Sequence, residues 1–95
     1  MSYHKYKNSI PVAVLASFLP DKLPVPHKVK CHDPSGNEQS FVIDKIGRIL
    51  DDDAEIIYQC CSSFGEYEKS FVLIFWKKNI IWTISDKPHF MWGNM

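Results

Sequence analysis

The residues of this chain best suited to chemistry are its four histidines and three cysteines. His27, Cys31 and His32 form an H-x3-C-H cluster, and Cys60-Cys61 could lie on a neighbouring strand. Together they offer enough nitrogen and sulfur for zinc. On a regular strand, however, adjacent side chains point to opposite faces, which sets Cys31 against His32 and Cys60 against Cys61. The chain also lacks the paired C-x2-C knuckles that usually build a tetrahedral site. Cysteines serving as small apolar packing residues are the stronger reading, and no metal site or cofactor is expected.

Cys31 or Cys61 with His27 could in principle form a nucleophile and base. Such activity also needs a lowered thiolate pKa, an oxyanion hole and a third orienting group, and the sequence marks none of these. Asp51, Asp52, Asp53 and Glu55 offer oxygen ligands but lack the spacing and turn glycine of a calcium loop, so they read as a solvated acidic turn. Gly36, Gly47, Gly65 and Gly93 are isolated and make no phosphate cradle. No residue is assigned a catalytic role, and binding becomes the expected class of function.

The elements that position these residues are short and β-rich. With 95 residues the chain has room for one core, and its six Phe, four Tyr and three Trp can offset the entropy of ordering a backbone. Residues 1–8 read as an N-terminal arm, 9–87 as a single β-rich domain and 88–95 as a C-terminal tail. Residues 10–19 fit a strand better than a helix, because Val12 and Val14 are β-branched and Pro20 ends the segment. The three prolines of PDKLPVP, residues 20–26, place that stretch at a crossing or an edge. Residues 27–32 alternate, and Asp33-Pro34-Ser35-Gly36 suits a type I turn into a returning strand at 40–43. Ile46 and Ile49 extend the apolar side through a bend at Gly47. Residues 55–62 form another strand, and 71–76 with 80–84 form a second hairpin around Lys77-Lys78-Asn79. The expected fold is mainly β: a small antiparallel SH3-like barrel of five or six strands, or a strongly bent sheet. A sheet backed by one helix from 10–19 is the alternative.

Formal charge is zero, from 11 basic and 11 acidic residues, but it is unevenly spread. Residues 1–32 carry five Lys against Asp21, residues 33–68 nine acids against Lys45 and Arg48, and residues 69–95 four Lys against Asp86. A basic strand face carrying Lys28, Lys30, Lys77 and Lys78 would allow phosphate contacts and a nucleic-acid-associated role. No basic leader followed by a long apolar run opens the sequence, so cytoplasmic location is the default. The apolar run from Phe71 to Trp76 is too short to span a membrane, and no membrane partner is expected.

The hairpin FVLIFWKKNIIWTI is apolar on both faces. Trp76 and Trp82 therefore have two readings: packing, or a ligand-facing patch with Tyr58 and Tyr67 beside Lys77 and Lys78. Phe90, Met91 and Trp92 are the expected contacts of a homodimer or larger homo-oligomer.

The segment SFLPDKLPVPHKVKCHDPSGNEQSFVIDKIGRI, with the hairpin from Lys69 to Ile84, resembles the corresponding parts of a group of small bacterial proteins without established function. That resemblance implies a compact β domain and supplies no catalytic residue. The combined expectation is a cytoplasmic bacterial module that binds another protein or assembles with itself. A nucleic-acid accessory role is the alternative.

Overall fold

The computed structural model describes residues 9–32 and 35–85, except for the Phe64 side chain. Seven strands follow one another: β1 Ile10–Ser17, β2 Val25–His32, β3 Glu38–Val42, β4 Lys45–Asp51, β5 Glu55–Phe64, β6 Tyr67–Trp76 and β7 Ile81–Ile84. They form one sheet in the order β3-β2-β1-β7-β6-β5-β4, and every pairing is antiparallel. The sheet is strongly curled into a half-barrel, and its concave face holds the main core.

The chain changes partner at two places and so creates the curl. Ile10 to Val12 of β1 pair with β7, whereas Ala13 to Ser17 pair with β2. Pro11 lies in the first segment and has no N–H to offer, which limits how far β1 can keep a neighbour on both sides. The second corner is Ile43-Asp44, between β3 and β4. There the Ile43 amide donates to the His27 carbonyl at 2.9 Å and the Asp44 amide to the Cys61 carbonyl at 2.9 Å. The Asp44 carboxylate also accepts from the Ser63 amide at 2.6 Å, tying the corner to β5.

The expected count of five or six strands and the SH3-like barrel are corrected to this seven-stranded curled sheet. The missed strand is β4. Ile46 faces Cys60 and Ile49 faces Tyr58, so Gly47 and Arg48 together oppose the single residue Gln59. This β-bulge returns two isoleucines three positions apart to the same face, a spacing that disguises a strand. The proline-rich crossing also ends sooner than expected. Leu19 to Lys22 forms a turn, closed by the Lys22 amide on the Leu19 carbonyl, and Pro26 already pairs with Ala16 inside β2. Pro26 is tolerated there because the β1–β2 register shifts between Leu15 and Ala16, leaving His27 as the extra residue.

The strand expected over residues 10–19 is present as β1 but ends at Ser17, two residues short. Gly36 has φ +89° in the β2–β3 turn, while Asp33 and Pro34 of the expected type I turn lie outside the described residues. The longest hairpin, β5–β6, closes through Gly65-Glu66 between the paired Phe64 and Tyr67. Gly65 has φ +65° and Glu66 does not have positive φ, as a two-residue type II′ turn requires.

The concave core contains Val29, Ile56, Tyr58, Cys60, Phe71, Leu73, Phe75, Trp82 and Ile84. Phe41 meets Phe71 edge-to-face at 5.3 Å between centroids, and Trp82 lies 4.9 Å from Phe75 and 5.5 Å from Tyr58. Such ring pairs each add about 0.5–1.5 kcal/mol to the burial itself. Ile57, Val72 and Ile74 form a second apolar cluster on the convex face, with Trp76 packed against it.

Candidate functional site

One end of the sheet carries the β1–β2, β4–β5 and β6–β7 turns. Antiparallel register sets them together, because Ile10 pairs with Ile84 and Val12 with Trp82, so β1 runs towards the start of β7. Phe18 reaches across from the β1–β2 turn to Phe75, edge-to-face at 5.8 Å. The Pro24 carbonyl of the same turn accepts the Tyr58 hydroxyl. These two contacts fasten the turn over the open end of the core.

The side chains around this end form an apolar rim. Phe18, Leu19, Leu23 and Val25 are exposed on one turn, and Ile80 and Ile81 on the other. Both turns hold a non-glycine residue at positive φ: Asp21 at +64° and Ile80 at +55°. Asp21 sits third in a turn whose second residue is Pro20, where a type II turn requires positive φ, and aspartate tolerates it. Ile80 is different. A β-branched side chain is strained in the left-handed region, yet this one is 70% exposed. Its amide donates to the Trp76 carbonyl at 2.8 Å and so fixes the turn. Beside it, Lys77 Nζ lies 2.9 Å from Asp51 Oδ1, joining the basic and acidic turns.

The six residues expected to make a ligand-facing patch do not share a surface. Tyr58 and Trp82 are buried in the concave core. Trp76 lies on the convex face, half-buried, and its Nε1 donates to Thr83 Oγ1 at 2.9 Å. Lys77 and Lys78 occupy the β6–β7 turn, while Tyr67 lies at the opposite end of β6, beneath Lys69 Nζ at 5.8 Å. Phe90, Met91 and Trp92 lie outside the described residues.

Of the lysines expected to meet phosphate, Lys28 and Lys30 flank a hollow of about 300 Å³ on the outside of β1 and β2, with Leu15. Lys30 is ion-paired with Glu38 at 3.2 Å. A second groove, about 430 Å³, opens where β1 leaves β2 and is lined by Ile10 to Ala13 and Lys30 to His32. Pro11 on its wall makes that groove a poor edge for an added strand.

The chemistry-bearing residues disperse as strand alternation predicts. Cys60 is buried, and desolvation, then the neighbouring Cys61, pushes its thiol up to about 12. It therefore stays protonated and inert. Cys61 faces the other way, with Sγ 3.6 Å from Glu68 Oε1. None of the three cysteines forms a disulfide. Among the described residues no group of three or more His, Cys, Asp or Glu side chains is placed to hold a metal ion. One pairing escaped the sequence reading: Ser17 Oγ and His27 Nε2 lie 2.7 Å apart on the surface. The β-bulge at His27 makes it, and no spacing rule could have announced it. Among the described residues no carboxylate joins this pair, and it acts as a cross-strand hydrogen bond.

Comparison of this chain with protein-family models, with curated proteins and with solved structures gave no match. Among the described residues no helix is long and apolar enough to cross a membrane.

Proposed function

We propose that this protein is a small non-catalytic binding or assembly module that docks a protein surface through the apolar rim of its β1–β2 and β6–β7 turns. The observation that carries the reading is Ile80. An aliphatic side chain held in solvent on a strained backbone gains nothing from its own fold, and strain of this kind gathers where a surface has work to do. Phe18, Leu19, Leu23, Val25 and Ile81 give it apolar neighbours, the composition of an interface centre. Self-assembly is the form tested first.

The test uses Ile80→Gly and Leu19→Ser/Ile80→Gly. Glycine relieves the positive φ, so Ile80→Gly gains about 1 kcal/mol of stability in urea unfolding. Light scattering over a concentration series reads assembly: mass rises with concentration in wild type and falls to one chain in the double variant. A loss of stability on Ile80→Gly would mean that the side chain packs within the domain, and the reading would fail. A wild-type monomer at every concentration would remove self-assembly and leave the rim for a different protein.

The alternative, a nucleic-acid accessory role, draws on Lys28 and Lys30 beside their hollow. Titration of a mixed-sequence single-stranded oligonucleotide at two salt concentrations separates the readings. Phosphate contacts give steeply salt-dependent affinity, and docking through the rim does not.

A further inference from the structure

We propose, resting on the rim as a docking surface, that its partner is a second copy of this chain, which presents the outer face of its β1, β2 and β3. The rim is apolar at its centre and acidic on one flank. The Lys77 amide donates to the Ala54 carbonyl at 3.0 Å and its ammonium pairs with Asp51, so the β4–β5 turn is held against the turn that carries Ile80. Asp52 and Asp53 are exposed there, and among the described residues neither has an ion-pair partner. Over the three turns of this end, Asp21 offsets Lys22 and Asp51 offsets Lys77, so Asp52 and Asp53 outnumber Lys78. Such a surface is matched by aliphatic side chains with a positive charge set among them.

The outer face of β1, β2 and β3 has that composition. Strand alternation turns Val14 and Val29 towards the core, so their neighbours Leu15 and Lys28 point out. Cross-strand register then sets Leu15, Lys28 and Val42 in one row, with Ala13, Lys30 and Ser40 in the next. Leu15 is 67% and Val42 58% exposed, which is more than either would keep if it served only its own fold. Lys30 is tied to Glu38, whereas Lys28, between the two aliphatic side chains, has no ion pair among the described residues. The hollow of about 300 Å³ beside Leu15 and Lys28 gives a protruding side chain such as Ile80 a place to enter.

Charge decides between the two ways in which copies can meet. A contact of rim on rim brings two acidic flanks into one interface. A contact of rim on face sets Asp52 and Asp53 of one copy against Lys28 of the other, which is the attractive arrangement. Because rim and face are different surfaces, a chain that lacks one still carries the other.

The experiment mixes two full-chain variants and reads their mass by light scattering. Leu19→Ser/Ile80→Gly lacks the rim and Leu15→Ser/Lys28→Glu lacks the face, and far-ultraviolet circular dichroism checks that both are folded. Each alone is expected to remain a single chain at concentrations where wild type assembles. Their equimolar mixture should reach two chains and no more, because it holds one intact rim and one intact face. A face variant that assembles like wild type, or a mixture that stays at one chain, would overturn the proposal and leave the rim as a docking surface for something else. A rim variant that assembles like wild type would remove the rim itself, and the proposal with it. A wild-type monomer at every concentration would exclude a second copy as the partner. A second arm keeps every aliphatic side chain. Lys28→Glu should raise the concentration needed for assembly about tenfold, and adding Asp52→Lys/Asp53→Lys to the same chain should restore it. Failure of the reversed charges to restore assembly would overturn the pairing of rim with face.

Discussion

At the scale of single residues, alternation along a strand decides what a side chain can do. Tyr58 faces the core, and its hydroxyl satisfies the Pro24 carbonyl. Desolvation, then the charge of Asp51, pushes its phenol up to about 12 from an ordinary 10.0. A group whose pKa is raised on folding lends its stability fully below the unfolded value and loses it as pH climbs through the folded one. Wild type should therefore weaken between pH 10 and 12 relative to Tyr58→Phe, read as the difference between their urea midpoints at each pH. The same substitution costs about 1 kcal/mol at pH 7 through the lost hydrogen bond. A Tyr58→Phe curve parallel to wild type at alkaline pH would show that the phenol ionises freely in the folded state. The sequence offered packing as one of two readings for Trp82 and placed Tyr58 only in the ligand-facing patch, because burial depends on which strands cross above. Cys60 and Cys61 were legible for the opposite reason: adjacent strand residues must diverge, whatever covers them.

At the scale of elements, the hairpins were visible wherever a turn signal sat between apolar runs, as at Lys77-Lys78-Asn79. The β4 strand was hidden because its bulge breaks the two-residue period that identifies strands. The corner between β3 and β4 was hidden too, since nothing local says that Asp44 will bind β5. Its amide and carboxylate each hold one β5 backbone group, on Cys61 and Ser63. Asp44→Ala should cost about 1 kcal/mol, and Asp44→Asn, which keeps an acceptor, less than half of that. Amide hydrogen exchange locates the effect: Ser63 should exchange faster in the alanine variant while Leu73 stays protected. Equal protection of Ser63 in both proteins would remove Asp44 from the corner.

At the scale of the whole molecule, one core is shared by residues from every strand, since Val12, Val14, Phe41 and Ile46 pack on the residues of β2, β5, β6 and β7. A sheet whose strands all lean on one core unfolds as a unit. Near-ultraviolet circular dichroism, which follows the packed rings, should therefore give the same urea midpoint as the far-ultraviolet signal, which follows the strands. Separate midpoints would mean that ring packing and the strands are lost in different steps and that the sheet does not unfold as a unit. The overall class, antiparallel and strongly bent, could be read from short apolar segments and turn residues. Its closure could not, because the decisive pairing joins Ile10 to Ile84, and no local pattern encodes a neighbour so distant in sequence.

That pairing also orders events during synthesis. A ribosome adding about 5–20 residues per second needs several seconds to pass from Ile10 to Ile84, and the first strand waits all that time for its second neighbour. Meanwhile β1 can pair only with β2, through Ala13 to Ser17, while Ile10 to Val12 trail unpaired from the nascent chain. The strands β1 to β3 and β4 to β6 can each pair as they emerge, but β7 alone joins the two sets, so the curled sheet is completed only after translation of residue 84.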